Sequence, residues 1–270
     1  MCGIITLFVI RTNFNENKQL NNRDVMGGLA KGLKVIEAFT AEQPKLSITD
    51  AADITGYDRA TTRRCLLTLA ELGYCAYDGK YFTVTPRILR LGTGCLAAMP
   101  LPRLVQPYLD SLSENIRQST SVSILDGTEI VYVARAAQQR VMSVTLMPGS
   151  RLPAYCTSMG RILLAALPPE QARDVLTSTQ MIARTPRTET SSGKLMDELE
   201  RVKALGYACI DEEVEIGLRS IAVPLMDFRK RTIAALNVGF AATAEPICDA
   251  IPTLLPALKA VQSEISGTLR

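Results

Sequence analysis

The stretch LSITDAADITGYDRATTRRCLLTLAELGY, at residues 46–74, determines the fold of the N-terminal part of the chain. Its apolar residues recur at helical spacing on both sides of Gly56, which predicts one helix over residues 48–55 and a second over 59–72. Gly56 supplies the positive φ that a sharp turn between the helices requires, and Asp58 is placed to cap the second helix. Two helices of this length joined by a three-residue turn indicate a helix-turn-helix.

The second of these helices has the features of a DNA-reading helix. Arg63 and Arg64 lie opposite its apolar face, where arginine can form paired hydrogen bonds to guanine. The alternative is that these arginines only solvate a helix surface. A predicted hairpin directly after the helix, with Asp78-Gly79-Lys80 at its tip, favours the DNA-binding interpretation, because such a wing can meet backbone phosphate. The predicted DNA contacts are Arg59, Thr61, Arg63, Arg64, Thr68 and Lys80.

Periodicity and turn signals divide the chain into four segments. Residues 1–27, apolar at first and then rich in asparagine, are expected to form a disordered arm. Residues 28–85 form the predicted winged helix-turn-helix domain, and residues 86–99 a linker helix. Residues 100–270 alternate strands with amphipathic helices, which predicts an α/β domain for binding an effector and for oligomerisation. Its strands are expected near 121–125, 129–134, 141–147, 207–210, 221–225 and 232–240.

The composition of the 270 residues excludes several kinds of site. The chain has no histidine, so histidine-based triads and histidine-ligated metals are excluded within it. The seven cysteines include no CxxC pair, which is typical of reduced thiols in a cytoplasmic protein rather than of disulfides or a zinc site. The net charge is only +3, so DNA binding would depend on a local basic patch. No apolar stretch is long enough for a transmembrane helix.

Taken in order, the motifs of the chain resemble those of the IclR family of transcription regulators, over roughly residues 29–266. The resemblance is carried by LAKGLKVIEAF, the stretch at 46–74, DGKYFTVTPRILRLG, DGTEIVYVAR, PGSRLPAYCTSMGRILLAAL, DEEVEIGLRSIAVPL and AALNVG. The chain is most similar to the subgroup that regulates aromatic-acid breakdown through the β-ketoadipate pathway, whose members respond to protocatechuate, 4-hydroxybenzoate or β-ketoadipate. The resemblance implies a GAF-like effector domain, with an antiparallel sheet packed by helices, behind the winged helix and its linker.

The resemblance also implies where a small carboxylate effector would bind. The family places it at the start of the helix that begins within LPAYCTSMGR, and a helix N-terminus binds anions through its free amides. Arg161 stands where the family often has lysine, and Tyr155 where many members have histidine, so both are expected to influence what the site accepts. The implied effector contacts are Tyr155, Thr157, Ser158, Met159, Arg219, Ser220, Asn237 and Gly239, of which Arg219 can equally be structural.

Two further features are interpreted as structural. The acidic run Asp211, Glu212, Glu213 and Glu215 could suggest a metal or acid–base site, but a solvated or capping loop is the favoured interpretation. Cys156 lies near the implied effector site, and a buried, unreactive thiol is expected there.

We therefore expect a cytoplasmic transcription regulator that binds double-stranded operator DNA and a small carboxylate effector. Family membership implies self-association as a dimer or tetramer, and RNA polymerase is a further candidate partner. No metal, cofactor, membrane partner or catalytic residue is expected. Two alternatives stay open: a DNA-binding protein whose second domain only dimerises, and an enzyme that converts a small carboxylate. The enzyme would need a base or metal that the chain does not visibly supply.

Overall fold

The computed structural model describes residues 25–40, 42–138, 146–242 and 246–269, without the side chains of 95–97. The described chain divides after Ala98 into two compact units, an N-terminal and a C-terminal one. The arm predicted at 1–27 lies outside the described residues except for its last three, and so does most of the strand predicted at 141–147. None of the described helices is long and apolar enough to span a membrane.

The N-terminal unit is a winged helix-turn-helix, as the sequence predicts. Its helices pack around a core that includes Val35, Leu66 and Phe82, all completely buried. The two strands of the wing and a short strand before the second helix form a three-stranded antiparallel sheet, in which the second strand of the wing is the central one. The elements are α1 (Gly27–Glu37), β1 (Lys45–Leu46), α2 (Ile48–Thr55), α3 (Arg59–Glu71), β2 (Cys75–Tyr77), β3 (Phe82–Val84), a 3₁₀ turn (Pro86–Ile88) and α4 (Leu89–Ala98).

Local capping interactions fix the ends of α2 and the start of α3. Ser47 and Asp50 form a reciprocal capping box at the start of α2. Gly56 ends α2 with a φ of 73°, a conformation that other residues rarely adopt. The Asp58 carboxylate then accepts the Thr61 amide at 2.8 Å and caps α3. The sequence signals for this turn are therefore confirmed.

The C-terminal unit is a single antiparallel sheet between two layers of helices. Its six described strands run in the order β6-β5-β4-β9-β8-β7. One face packs against α6, α7 and α8, and the other against α5 and α9. The elements are α5 (Pro100–Ile116), β4 (Ser119–Asp126), β5 (Glu129–Ala136), β6 (Arg151–Pro153), α6 (Ser158–Ala165), α7 (Pro169–Ser178), α8 (Ser192–Leu205), β7 (Ala208–Asp211), β8 (Leu218–Met226), β9 (Thr232–Ala241) and α9 (Ile247–Thr268).

Helix α6 is the most deeply placed element of this unit. Every one of its eight residues is buried, and it contacts the strands β4, β5, β7, β8 and β9. Its N-terminus therefore points its backbone amides into the interior, against the middle of the sheet, rather than into water.

Candidate functional site

A cavity lies between the N-terminus of α6 and the middle of the sheet. It has an empty volume of about 470 Å³, counting the space at its open mouth. Polar and apolar side chains line it together, but no aspartate or glutamate does so among the residues that the structure describes. The lining consists of Ser119, Tyr132, Arg135, Leu146, Leu152, Thr157, Ser158, Met159, Val214, Leu218, Ser220, Asn237 and Gly239.

The helix start at this cavity is built to leave amides free. The Thr157 hydroxyl caps α6 by accepting the Gly160 amide at 3.1 Å. Neither the Ser158 nor the Met159 amide has a hydrogen-bond partner in the described part of the chain, and both residues line the cavity. Because the free amides and the helix dipole together favour negative charge, this end of the cavity suits a carboxylate.

Gly160 allows this helix start to exist. A Cβ atom at Gly160 would overlap the carbonyl oxygen and Cα of Ala154, in the backbone that leads into α6. Gly160 therefore allows the start of α6 to pack closely against the backbone at Ala154. This close packing sets the position of the Ser158 and Met159 amides.

The sheet supplies further buried polar groups on the cavity side. The Ser158 and Ser220 hydroxyls lie 2.8 Å apart and share a hydrogen bond. Asn237 is only 8% exposed, and its Oδ1 has no partner among the described residues. Gly239 lies opposite Ser119 on one side and Ser220 on the other, and a Cβ there would project into open space. Buried polar atoms in native proteins are nearly always paired, so the unpartnered Asn237 oxygen points to a bound group.

Arg135 is the only cation among the described residues that line the cavity, and it is not one of the predicted effector contacts. Its Nη1 donates to the Ser121 hydroxyl at 2.9 Å, whereas its buried Nε has no partner in the described structure. Burial lowers the pKa of this guanidinium from its ordinary value, although arginine stays protonated at neutral pH. Burial also raises the pKa of the neighbouring Tyr132 to about 12, so the phenol is neutral.

Six of the eight predicted effector residues lie together at the cavity: Thr157, Ser158, Met159, Ser220, Asn237 and Gly239. Tyr155 and Arg219 are not brought there. The Tyr155 hydroxyl donates to the Ile182 carbonyl at 2.6 Å and accepts the Ile182 amide at 3.1 Å, so it fixes the loop after α7. Arg219 pairs with Asp211 across β7 and β8 at 2.5 Å. The positions of Tyr155 and Arg219 do not support a ligand contact.

Arg161 does not line the cavity either, so any influence on what the cavity accepts would be indirect. It is 4% exposed, and its Nη2 lies 2.7 Å from the Glu213 carboxylate. Its Nε donates to the Tyr155 carbonyl at 3.1 Å. Glu213 directly precedes Val214, which lines the cavity. The ion pair between Arg161 and Glu213 therefore connects α6 to this wall of the cavity.

The acidic residues at the end of β7, Asp211, Glu212, Glu213 and Glu215, differ in their environments. Glu212 accepts the Gly217 amide, which is the expected capping role. Glu213 differs, because it is buried against Arg161 and also accepts the Glu189 amide at 3.0 Å. Burial raises the pKa of Glu213, against the opposing effect of Arg161. The interpretation of this run as a solvated or capping loop is wrong for Glu213. Its carboxylate is buried because it pairs with Arg161, which is 52 residues earlier in the chain.

Cys156 is a buried thiol, as expected. It is completely buried, and burial raises its pKa to about 11. Thiolate formation, and with it nucleophilic reactivity, is therefore suppressed at neutral pH.

The N-terminal unit places four of the six predicted DNA contacts on the exposed surface of α3: Arg59, Arg63, Arg64 and Thr68. Thr61 is only 8% exposed and contributes its amide to the Asp58 cap. Lys80 is exposed at the tip of the β2–β3 hairpin, with its Nζ 4.8 Å from the centre of the Tyr81 ring. The arginines of α3 and Lys80 at the tip of the β2–β3 hairpin are therefore all exposed to solvent.

Comparison with protein families matches both units. A model described as "Bacterial transcriptional regulator IclR C-terminal" matches residues 93–267, and one described as "IclR helix-turn-helix domain" matches residues 28–79. The chain is 44% identical to the Pca regulon regulatory protein of Pseudomonas putida over 217 residues, which are 80% of this chain and 75% of that protein.

Solved structures show the same architecture. An IclR family transcriptional regulator from Brucella abortus superposes with a TM-score of 0.79 at 25% identity, covering 96% of this chain and 98% of that one. The inducer-binding domain of a PobR double mutant from Acinetobacter, in complex with 3-hydroxybenzoic acid, is 30% identical with a TM-score of 0.57. That match covers 61% of this chain and 97% of the Acinetobacter domain.

Proposed function

The chain belongs to the IclR family of bacterial transcriptional regulators, and we propose that it senses a small carboxylic acid in the cavity below α6. The acid is an aromatic acid or an acid of the β-ketoadipate pathway. The protein is a DNA-binding transcription regulator, and its relatives include a Pca regulon regulator and an inducer-binding domain in complex with 3-hydroxybenzoic acid. The observation that carries the proposal is the buried helix start with two free amides in a cavity that no described acidic side chain lines.

The carboxylate is the group that this helix start would bind. It accepts the Ser158 and Met159 amides, and the Ser158 and Ser220 hydroxyls lie beside it as further donors. The remaining lining contacts the carbon skeleton of the acid. Its apolar members are Leu146, Leu152, Met159, Val214 and Leu218.

A thermal-shift experiment with protocatechuate, 4-hydroxybenzoate and β-ketoadipate tests this proposal. We expect at least one of them to raise the melting temperature, because a ligand that binds only the folded state stabilises it. Ser158→Asp places a negative charge where the carboxylate binds and should abolish the shift. Ser192→Asp, a serine at the start of α8 outside the cavity, is the matched control. If no acid shifts the wild type, the second unit is better explained as a ligand-free dimerisation domain.

In the proposed complex with DNA, α3 lies in the major groove and the wing contacts the phosphate backbone. The exposed Arg59, Arg63, Arg64 and Thr68 are then the contacts of the helix, and Lys80 a phosphate contact. Thr61, which is mostly buried, would contribute little side-chain surface to DNA.

A dimer or tetramer would present two readers to a pseudo-palindromic operator, and the acid would shift the equilibrium between arrangements of those readers. A contact with RNA polymerase stays a prediction from the sequence.

We propose that the acid is bound and not converted, because the relatives are named as regulators. Chromatography of each acid after incubation with the protein checks this, and turnover would support the enzyme alternative.

A further inference from the structure

Two lysines of α1 lie beside the turn that leads into the DNA-reading helix. Lys31 and Lys34 are exposed and three residues apart, so they share one face of α1. Their ammonium groups lie 5.8 Å and 5.2 Å from the centre of the Tyr57 ring, which belongs to the turn between α2 and α3. Neither lysine is one of the DNA contacts predicted from the sequence.

The ring of Tyr57 fixes where these two charges lie. Tyr57 is partly buried and packs against the core of the N-terminal unit. A free lysine side chain has a flexible four-carbon stem, whereas the negative face of an aromatic ring attracts an ammonium group to one place. The ring therefore holds both lysines at the same part of the surface, beside the turn of the helix-turn-helix.

The described structure compensates these two cations only in part. Neither lysine forms an ion pair with a described carboxylate. The pKa of the Asp58 carboxyl is lowered mainly by its hydrogen bonds with Thr61, and Lys31 adds to the lowering. Asp58 already caps α3, and the next residue, Arg59, is an exposed cation. The start of α3 thus has three cations for one acid, which favours an anionic partner.

The lysine patch adjoins the side chains that are proposed to read DNA. Lys31 lines a largely apolar groove between α1 and α3, together with Thr61, Arg64 and Thr68. Arg64 and Thr68 are two of the exposed residues of α3. The cations of α1 therefore continue the positive surface of α3 and do not lie on the opposite face of the unit.

We propose that Lys31 and Lys34, held by Tyr57, bind phosphates of the DNA backbone at the edge of the site that α3 reads. The inference rests on the proposed DNA complex, to which it adds a contact surface on α1. An ammonium group binds phosphate as a point charge and reads no base. The two lysines therefore add affinity on every sequence, and Tyr57 is a positioning residue that acts through them.

The salt dependence of DNA affinity tests the phosphate contacts. The probes are a duplex that the wild type selects from a random library and a random-sequence duplex of the same length, both titrated by fluorescence anisotropy. Each neutralised phosphate contributes about 0.9 to the slope of log K against log salt concentration. We expect Lys31→Gln/Lys34→Gln to reduce the slope by about this amount for each lysine, per bound copy of the chain. Both duplexes should lose affinity by the same factor.

Lys203→Gln/Lys259→Gln is the matched control. It removes two exposed lysines from α8 and α9 of the other unit and changes the net charge equally. It should keep the wild-type slope, which excludes an effect of net charge. Glutamine is a good helix former, so both double variants should melt close to the wild-type temperature.

Variants of Tyr57 test its positioning role. Tyr57→Phe keeps the ring and should keep the wild-type affinity, whereas Tyr57→Leu removes the ring and should weaken binding to both duplexes by the same factor. If the ring acts through the lysines, Tyr57→Leu should cost no further affinity once Lys31 and Lys34 are glutamines. A purely structural tyrosine would weaken binding in both backgrounds.

The outcomes separate this inference from the proposed DNA complex. An unchanged slope in Lys31→Gln/Lys34→Gln overturns the phosphate contacts and leaves the reading role of α3 standing. A loss confined to the selected duplex also overturns them, because it would make the lysines base readers. A further loss from Tyr57→Leu in the lysine variant overturns the role of the ring. If the wild type binds neither kind of duplex, the proposed DNA complex itself fails.

Discussion

Gly239 shows how a single missing side chain shapes the cavity. It lies on β9 between Ser119 and Ser220, and a Cβ there would meet nothing within 4 Å. The space above this glycine is therefore part of the volume that a ligand would fill, and the backbone itself does not require glycine at this position.

We expect Gly239→Val to fold normally and to lose acid binding. Valine suits a strand, and its Cβ atom would meet no other atom within 4 Å. The thermal shift by the effector should disappear while the melting temperature without ligand changes little. Ala241→Val, which adds bulk on the exposed end of the same strand, should keep the shift. An unchanged shift in Gly239→Val would place the ligand elsewhere.

Gly160 represents the opposite case, a glycine that packing demands. A methyl group there would overlap backbone atoms of Ala154, which cannot move as a flexible side chain could. We expect Gly160→Ala to lower the free energy of unfolding by about 3 kcal/mol or more, measured by urea denaturation. Gly193→Ala in α8 of the same unit, where the nearest atom is at 3.9 Å, should be neutral or slightly stabilising. Equal effects of the two substitutions would contradict this account.

Individual site residues differed in how far the sequence could predict them. Ser158, Met159, Ser220, Asn237 and Gly239 follow from matching the family motifs, and the structure brings them together. Tyr155 sits in one of the same motifs but bonds to Ile182, 27 residues later. A motif fixes the position of a residue along the chain, whereas the direction of its side chain depends on a distant loop.

At the scale of elements, β5 explains why Arg135 escaped prediction. Strict alternation would place Tyr132 and Arg135, three residues apart, on opposite faces of the sheet. The pairing shifts between Val122 and Ser123, so that Val122 lies opposite Ala134 and Ser123 opposite Tyr132. This bulge restores both side chains to the cavity face. A bulge depends on pairing between strands and is not visible in the periodicity of one of them.

Other elements were predictable because their signals are local. The two ends of α2 and the start of α3 are fixed by Ser47, Gly56 and Asp58, each within four residues of the atoms it affects. The strand β1 was missed because two residues, Lys45 and Leu46, are too few to show a period. It exists through pairing with β3, in which Phe82, the partner of Leu46, lies 36 residues later in the chain.

The cap of α3 leads to a prediction about the recognition element as a whole. The Thr61 amide, hydrogen-bonded to the Asp58 carboxylate, holds the pKa of that carboxyl below its ordinary value. A carboxyl with a depressed pKa stabilises the folded state above its ordinary pKa, and the contribution is lost as the pH falls through the folded-state pKa. We expect Asp58→Ala to lower the melting temperature at pH 7, and the difference from wild type to shrink in acid.

Asp58→Asn is the control for this cap. Asparagine also caps helices well, so its melting temperature at pH 7 should lie close to that of the wild type and should not share the acid dependence. A loss in Asp58→Asn as large as that in Asp58→Ala would show that charge and not the cap hydrogen bond stabilises α3.

The whole molecule separates its two tasks between its two units. The exposed cations of α3 and the wing belong to the unit that ends at Ala98, and every residue of the cavity lining belongs to the unit that follows. The net charge of +3 is too small to hold DNA by bulk attraction, which favours the proposal that a few exposed arginines bind it through their arrangement. Variants in one unit should therefore affect one activity and spare the other.

Arg64→Ala tests this separation. On DNA selected by the wild type from a random library, we expect the variant to bind more weakly by about 1–3 kcal/mol and to lose preference at one base position, as for an arginine that reads guanine. Its thermal shift by the effector should equal that of the wild type, because the cavity is untouched. Arg103→Ala removes an exposed arginine from α5 in the other unit and should leave the DNA affinity unchanged. A uniform loss of affinity across all sequences would instead make Arg64 a phosphate contact, and an unchanged footprint would remove it from the interface altogether.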